Sequence, residues 1–260
     1  MSKQDKLKDL TGPLSVITWC CSDIESTITQ LRSGGVVCTP VPTVANEELE
    51  ALKLYWGLPN IDSLDIYEAL LPKEKIKMRL VSHGIDIDRG SEHIGVKSLE
   101  CEQEHAEQLF IKPIGKSETT ETHTAISSFE GVEELLHIAS DQYIEEVDFY
   151  TKVLGKEAQL VNDDIIINSS TSAYSAIRLE RLEEEGYEEE VVSRFPSTGW
   201  VMSSYETSDL GEILARAHAS QNKVYRTPRK LVDPVLGSIL CMSLLSPSGM
   251  VVEVYQNVKG

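Results

Sequence analysis

The sequence predicts an α+β fold of tandem βαβββ units, pairing into two domains, the second clearer than the first. Three observations carry that expectation. A strand, a helix and then short strands recur along the chain. Within each copy the apolar spacing switches between period two and period 3.6, and turn residues fall at the ends of the segments.

The last copy is the clearest. Gly199 to Glu206 is aromatic and β-branched and follows the breaker Pro196, so it reads as a strand. Thr207 or Ser208 then caps a helix with Asp209 in its first turn, and Leu210, Ile213, Leu214 and Ala217 give it one apolar face before Ser220 to Asn222 stop it. Strands follow at Lys223 to Arg226, Ser238 to Leu245 and, after the turn Ser246-Pro247-Ser248-Gly249, Met250 to Tyr255. The copy before it opens with Glu133 to Ala139 and a helix from Asp141 to Val153, whose end is marked by Gly155 as a left-handed residue. Lys156 to Asn162, Ile165 to Asn168 and Tyr174 to Leu182 supply its three strands.

Upstream the copies degenerate. Ser15 to Cys21 is strand-like, and Asp23 opens a helix with Ile24, Ile28 and Leu31 on one side, ended by Gly34-Gly35. Asp65 to Leu70 and Ile76 to Val81 are its later strands. Between them Glu47 to Trp56 reads as an inserted helix with Leu49, Leu52 and Tyr55 or Trp56 in register. A second unit would begin at His93 to Glu100, continue in a helix at Gln103 to Phe110 and end in a polar hairpin and linker over Lys112 to Ser128. Four units paired two by two give domains at 10–127 and 130–258.

With 24 Lys and Arg against 42 Asp and Glu, the net charge is -18. Such a chain repels phosphate backbones and anionic lipid, which argues against nucleic-acid and membrane partners. No apolar run approaches the roughly 20 residues of a membrane span, and the first residues lack a secretory apolar stretch, so a cytoplasmic location is expected. Five cysteines, Cys20, Cys21, Cys38, Cys101 and Cys241, form no C-x-x-C pair and read as small buried hydrophobes. The acidic run Glu183 to Glu190 reads as a solvated loop.

Two stretches carry a resemblance. Asp141-Gln142-Tyr143-Ile144-Glu145-Glu146-Val147-Asp148-Phe149-Tyr150-Thr151-Lys152-Val153-Leu154-Gly155 resembles the first helix of the vicinal oxygen chelate superfamily, with one residue more than usual. Leu245-Ser246-Pro247-Ser248-Gly249-Met250-Val251-Val252-Glu253-Val254-Tyr255 resembles its closing turn and strand. That superfamily includes glyoxalase I, bleomycin-resistance proteins and extradiol dioxygenases. The resemblance makes both domains glyoxalase-like and implies βαβββ pairs curled into a cup. In the enzymes the cup holds a divalent metal that binds adjacent substrate oxygens, acting as a Lewis acid. Fe, Mn, Zn and Ni all suit such a site, and the binding members use none.

In the family the ligands come from the opening strands and from the Glu of the closing strand. Glu253 matches the closing position. Seven residues before Asp141 stands Glu134, whereas counting from Phe149-Tyr150 gives Leu135, on whose face His137 lies; either Glu134 or His137 can ligate, and alternation admits only one to the cup. In the fourth unit the count falls on Met202, and Trp200 and Ser204 are equally unsuited to a hard metal. In the first half His93 is the one candidate ligand; Val16 to Thr18 supplies none, and the closing strand offers Arg79 in place of a Glu. His83, His105, His123 and His218 read as surface residues.

Two readings follow. The first is an enzyme of the lyase, isomerase or ring-cleaving kind acting on an oxygenated or aromatic metabolite. Glu253 and Tyr205 would be its catalytic residues, Glu253 with His137 or Glu134 its metal ligands, and Trp200, Met202 and Arg178 its substrate pocket. Arg178 also reads as an ordinary exposed strand residue. The second is a metal-free protein that binds or sequesters a small molecule, favoured by the missing His in the fourth unit, by the aromatic Trp200 and Tyr205 and by the negative charge, which would draw cations. A homodimer is the default assembly.

Overall fold

A computed structural model describes residues 10–33, 36–42, 45–58, 60–70, 76–83, 132–139, 142–161, 164–169, 172–182 and 199–258. The first unit comprises β1 (Thr11–Cys20), α1 (Ile24–Ser33), β2 (Val37–Pro40), α2 (Asn46–Trp56), β3 (Ile66–Leu70) and β4 (Lys77–Val81). The third comprises β5 (Val132–Ala139), α3 (Tyr143–Asp148), β6 (Glu157–Val161), β7 (Asp164–Ser169) and β8 (Ser172–Leu182). The fourth comprises β9 (Gly199–Thr207), α4 (Leu210–Ala219), β10 (Lys223–Asp233), β11 (Gly237–Leu245) and β12 (Val251–Asn257). The segments expected for the second unit, with His93, His105, His123 and Cys101, lie outside the described residues, as do Gly34-Gly35, Asp141 and the acidic run 183–190.

Local chemistry explains the helix boundaries. The Asp23 carboxylate accepts from the Ser26 amide at 3.0 Å, capping α1. The Asp209 carboxylate accepts from the Glu212 amide at 2.9 Å, so Asp209 itself caps α4. This corrects the expected cap at Thr207 or Ser208: Thr207 Oγ1 instead accepts from the Asp209 amide and donates to the Leu10 carbonyl. The extra residue of the third unit's helix is absorbed where α3 runs into a π-helical turn at Phe149–Val153. Gly155 then takes a φ of 73°, which a side chain would resist. The strand expected at Lys223 to Arg226 runs on to Asp233.

Each described unit has the same strand order. The third forms a four-stranded sheet, β5-β8-β7-β6, while the first and fourth share one eight-stranded sheet, β2-β3-β4-β1-β9-β12-β11-β10. This large sheet therefore joins residues from both of the expected domains, 10–127 and 130–258. Its halves meet where β1 and β9 pair antiparallel, with Val16 opposite Ser204, Ile17 opposite Ser203 and Thr18 opposite Met202. Exchanging the two strands maps this set of pairs onto itself, so a pseudo-two-fold passes through the Ile17–Ser203 pair.

Alternation along the strands divides the sheet into two faces. One packs on the helices and the third unit in a single core containing Ile17, Trp19, Ile28, Trp200, Tyr205 and Ile213, with Phe149, Tyr150 and Leu179 from the third unit. Thr11 Oγ1 donates to the Leu154 carbonyl at 2.9 Å, and the Ser248 amide donates to the buried Glu146 carboxylate at 2.8 Å, tying the third unit to the first and fourth. The other face holds a second core of Cys20, Val81, Met202, Ile239, Cys241 and Tyr255, into which α2 inserts Leu52, Tyr55 and Trp56. Cys20 and Cys21 fall in different cores, as adjacent strand-end residues should. This second face is the cup.

Candidate functional site

Four side chains on the central strands form the floor of the cup. On the parallel pair β1 and β4, Thr18 stands opposite Arg79; on its counterpart β9 and β12, Ser204 stands opposite Glu253. The two pairs occupy equivalent registers about the pseudo-two-fold, and all four residues are at most 1% exposed. In each, the opening-strand hydroxyl bonds to the charged side chain beside it: Arg79 Nη1 donates to Thr18 Oγ1 at 2.9 Å, and Ser204 Oγ donates to Glu253 Oε1 at 2.8 Å.

A ring of further groups closes on this floor. Asp233, at the end of β10, pairs with the Arg79 guanidinium at 2.6 Å while its other oxygen accepts from the amides of Val235 and Leu236 at 2.9 Å. Ser243 on β11 lies in register with Glu253 and shares a 2.6 Å hydrogen bond with the Tyr55 hydroxyl. The Arg79 guanidinium sits 5.2 Å from the Trp56 ring, and that of Arg229 sits 5.8 Å from the Tyr55 ring. Arg226 Nε donates to the Tyr55 carbonyl at 2.8 Å, fastening the last turn of α2 to β10.

These neighbours set the protonation states. Burial pushes the Glu253 carboxyl up to about 7; Arg79 and the Ser204 hydrogen bond pull it down, and Asp233 pushes it further up. For Arg79 burial works against the charge, and Asp233 and Glu253 more than offset it, so the guanidinium stays cationic. Burial, with Glu253 nearby, holds the Tyr55 phenol and the Cys241 thiol well above their usual values, so both stay protonated. The cup thus contains one carboxyl able to take or give a proton near neutral pH and one permanent cation paired to a second carboxylate.

Of the residues the sequence singled out, Glu253 and Met202 share the cup face. Trp200 and Tyr205 are buried in the core on the other face, the Trp200 indole donating to the Met202 carbonyl and Ser203 hydroxyl, and Lys156 Nζ lying 4.2 Å from the centre of the Tyr205 ring. A β-bulge between Thr18 and Trp19 moves Trp200 away from the face of Met202. Glu134 and His137 lie on β5 and Arg178 on β8, in the four-stranded sheet rather than in the sheet of Glu253. His83 and His218 are exposed. Sequence reasoning missed Asp233, Ser243 and Tyr55, although Ser243 has the parity of Ile239 and Cys241.

The donors on the cup floor do not suit a divalent cation. Two hydroxyls, one carboxyl with a raised pKa and a guanidinium replace the imidazoles and carboxylates such an ion needs, and Arg79 brings its own positive charge. Among the described residues no group of three or more His, Cys, Asp or Glu could hold a metal ion. A separate cleft of about 630 Å³ lies between α3 and the 246–249 turn. Of its charged side chains, Glu145, Lys152 and Lys223 are exposed and Asp148 is half-buried, so it offers no buried chemistry.

The repeated strand order defines the class: βαβββ units whose strands curl around a cup, the architecture that the vicinal oxygen chelate resemblance implies. No family model matches the chain, and no curated protein matches it in sequence. Among solved structures it is similar to an integron cassette protein from Vibrio cholerae, at 18% identity and a TM-score of 0.36 over 55% of this chain and 100% of that one. It is also similar to glyoxalase I from Zea mays, at 14% identity and a TM-score of 0.34 over 95% of this chain and 69% of that one. A virulence protein of Salmonella typhimurium is similar at 17% identity and a TM-score of 0.36, over 50% of this chain and 98% of that one. Among the described residues no helix is long and apolar enough to cross a membrane.

Proposed function

We propose that the eight-stranded cup is a metal-independent small-molecule site, in the manner of the bleomycin-resistance members of the superfamily. The observation that carries this reading is Arg79, a buried guanidinium at the closing-strand position equivalent to Glu253, already paired with Asp233. A metal there would face a fixed positive charge and displace a buried ion pair. Metal content of protein purified without chelator, and thermal unfolding with added Mn²⁺, Fe²⁺, Zn²⁺ or Ni²⁺, test it. Metal far below one equivalent and an unchanged midpoint are expected. One equivalent of metal that disappears in Glu253→Ala overturns the reading.

A second reading, an enzyme that moves a proton through Glu253, is favoured by the carboxyl's pKa of about 7, close to the value that general acid–base catalysis needs. Turnover that follows one ionisation near pH 7 and disappears in Glu253→Gln, while ligand binding survives, would select this reading over plain binding. Glu134, His137 and Arg178 belong to the other sheet and enter neither.

A further inference from the structure

The helix α2 is an addition to the unit. Residues 162–163 link β6 to β7 in the third unit and 234–236 link β10 to β11 in the fourth, whereas the equivalent connection in the first unit, from β2 to β3, spans 41–65 and contains α2. Its inner face enters the cup, packing on β10 of the other half, while its outer face leaves Leu54 58% exposed. Eleven residues are too few to hold a helix alone, so α2 owes its form to this docking.

What α2 delivers to the cup is specific. Its last turn places a phenol on the Ser243 hydroxyl and an indole against the Arg79 guanidinium. The fit is incomplete: Arg79 Nε and Arg229 Nε are buried without a hydrogen-bond partner, and the nearest aromatic ring centres, 5.2 and 5.8 Å from the two guanidiniums, offer them no oxygen acceptor. A free aromatic molecule with a hydroxyl could reproduce the Ser243 bond and offer its oxygen to these donors as well.

We infer that α2 is a built-in occupant of the cup, and that the ligand which displaces it is a hydroxylated aromatic recognised by Ser243, Arg79 and Arg229. The inference rests on the metal-independent reading and adds the ligand class and the competitor. Because α2 and ligand exclude each other, apparent affinity is the intrinsic affinity scaled by the fraction of molecules with the cup open. Loosening α2 therefore tightens binding.

The test uses p-cresol as probe and toluene as its analogue without the hydroxyl, with hydrogen exchange of residues 46–56 as a second readout. Wild-type protein should bind p-cresol in preference to toluene, and saturation should speed exchange across 46–56. Tyr55→Phe, which removes the phenol's bond to Ser243 and its contacts with Glu253 and Cys241 while leaving the ring in place, should tighten p-cresol by about two- to tenfold, the equivalent of one ordinary hydrogen bond. Ser243→Ala should narrow the preference for p-cresol over toluene, and an unchanged preference would overturn recognition by Ser243. If p-cresol binds while 46–56 stays protected, the internal occupant is overturned and the metal-independent site stands. If neither wild type nor Tyr55→Phe binds p-cresol, the ligand class is overturned. One equivalent of bound metal overturns the reading beneath both.

Discussion

The two halves of the eight-stranded sheet are alike in backbone and opposite in charge. Thr18 beside Arg79 and Ser204 beside Glu253 occupy the same registers, make the same hydroxyl contact and are equally buried. The capping carboxylates Asp23 and Asp209 repeat at the starts of α1 and α4. Yet one half presents a cation and the other a proton-binding carboxyl. Backbone hydrogen bonding preserves the unit because it is indifferent to side-chain charge, and the cup's chemistry is free to diverge. A site that clamps a metal symmetrically needs like donors from both halves; this one neutralises itself from within.

The largest effect should come from breaking the charged half. Arg79→Leu strands Asp233 in the cup without a counter-charge and should cost about 3–5 kcal/mol of unfolding free energy, measured by urea denaturation. Pairing it with Asp233→Leu should restore much of that loss; if it does not, the ion pair is not what Arg79 supports.

The other half should show itself through pH. Between the ordinary carboxylate range and about pH 7 the folded Glu253 holds a proton that the unfolded chain has released. More protons are bound in the native state, so stability should fall as pH rises through that window and level off above it. Subtracting the pH profile of Glu253→Gln from that of the wild type should isolate this slope. A flat difference would place the carboxyl in the ordinary range. The effect should be smaller than that of Arg79→Leu because Glu253 can protonate instead of standing charged.

The smallest expected effects sharpen the likeness. Asp23→Ala and Asp209→Ala each remove an N-cap and should each cost about 1 kcal/mol. Unequal losses would show that one half carries more of the sheet's stability than its geometry suggests.

Much of this architecture was legible locally. Period 3.6 located α1, α2 and α4, period two located most strands, and the closing-strand position identified both Glu253 and Arg79. The pairing of first unit with fourth was not legible, since strands distant in sequence leave no local mark of their partner. Trp200 was misjudged because a bulge interrupts alternation, a backbone event invisible in residue types. Tyr205 has the parity of Ser203 and so stands opposite Met202, a placement that strict alternation already implied. Asp233 lay in what read as a loop before β10 proved to extend that far.

The central pairing also bears on how the chain is made. Ser15 and Ser204, joined by a 2.8 Å hydrogen bond, are 189 residues apart, so β1 leaves the ribosome long before β9 exists. Through most of synthesis the first unit displays an unpaired strand edge and an unsealed apolar face, the conditions under which nascent chains associate wrongly. Folding of the large sheet must wait for β9, and its high contact order makes that step slow.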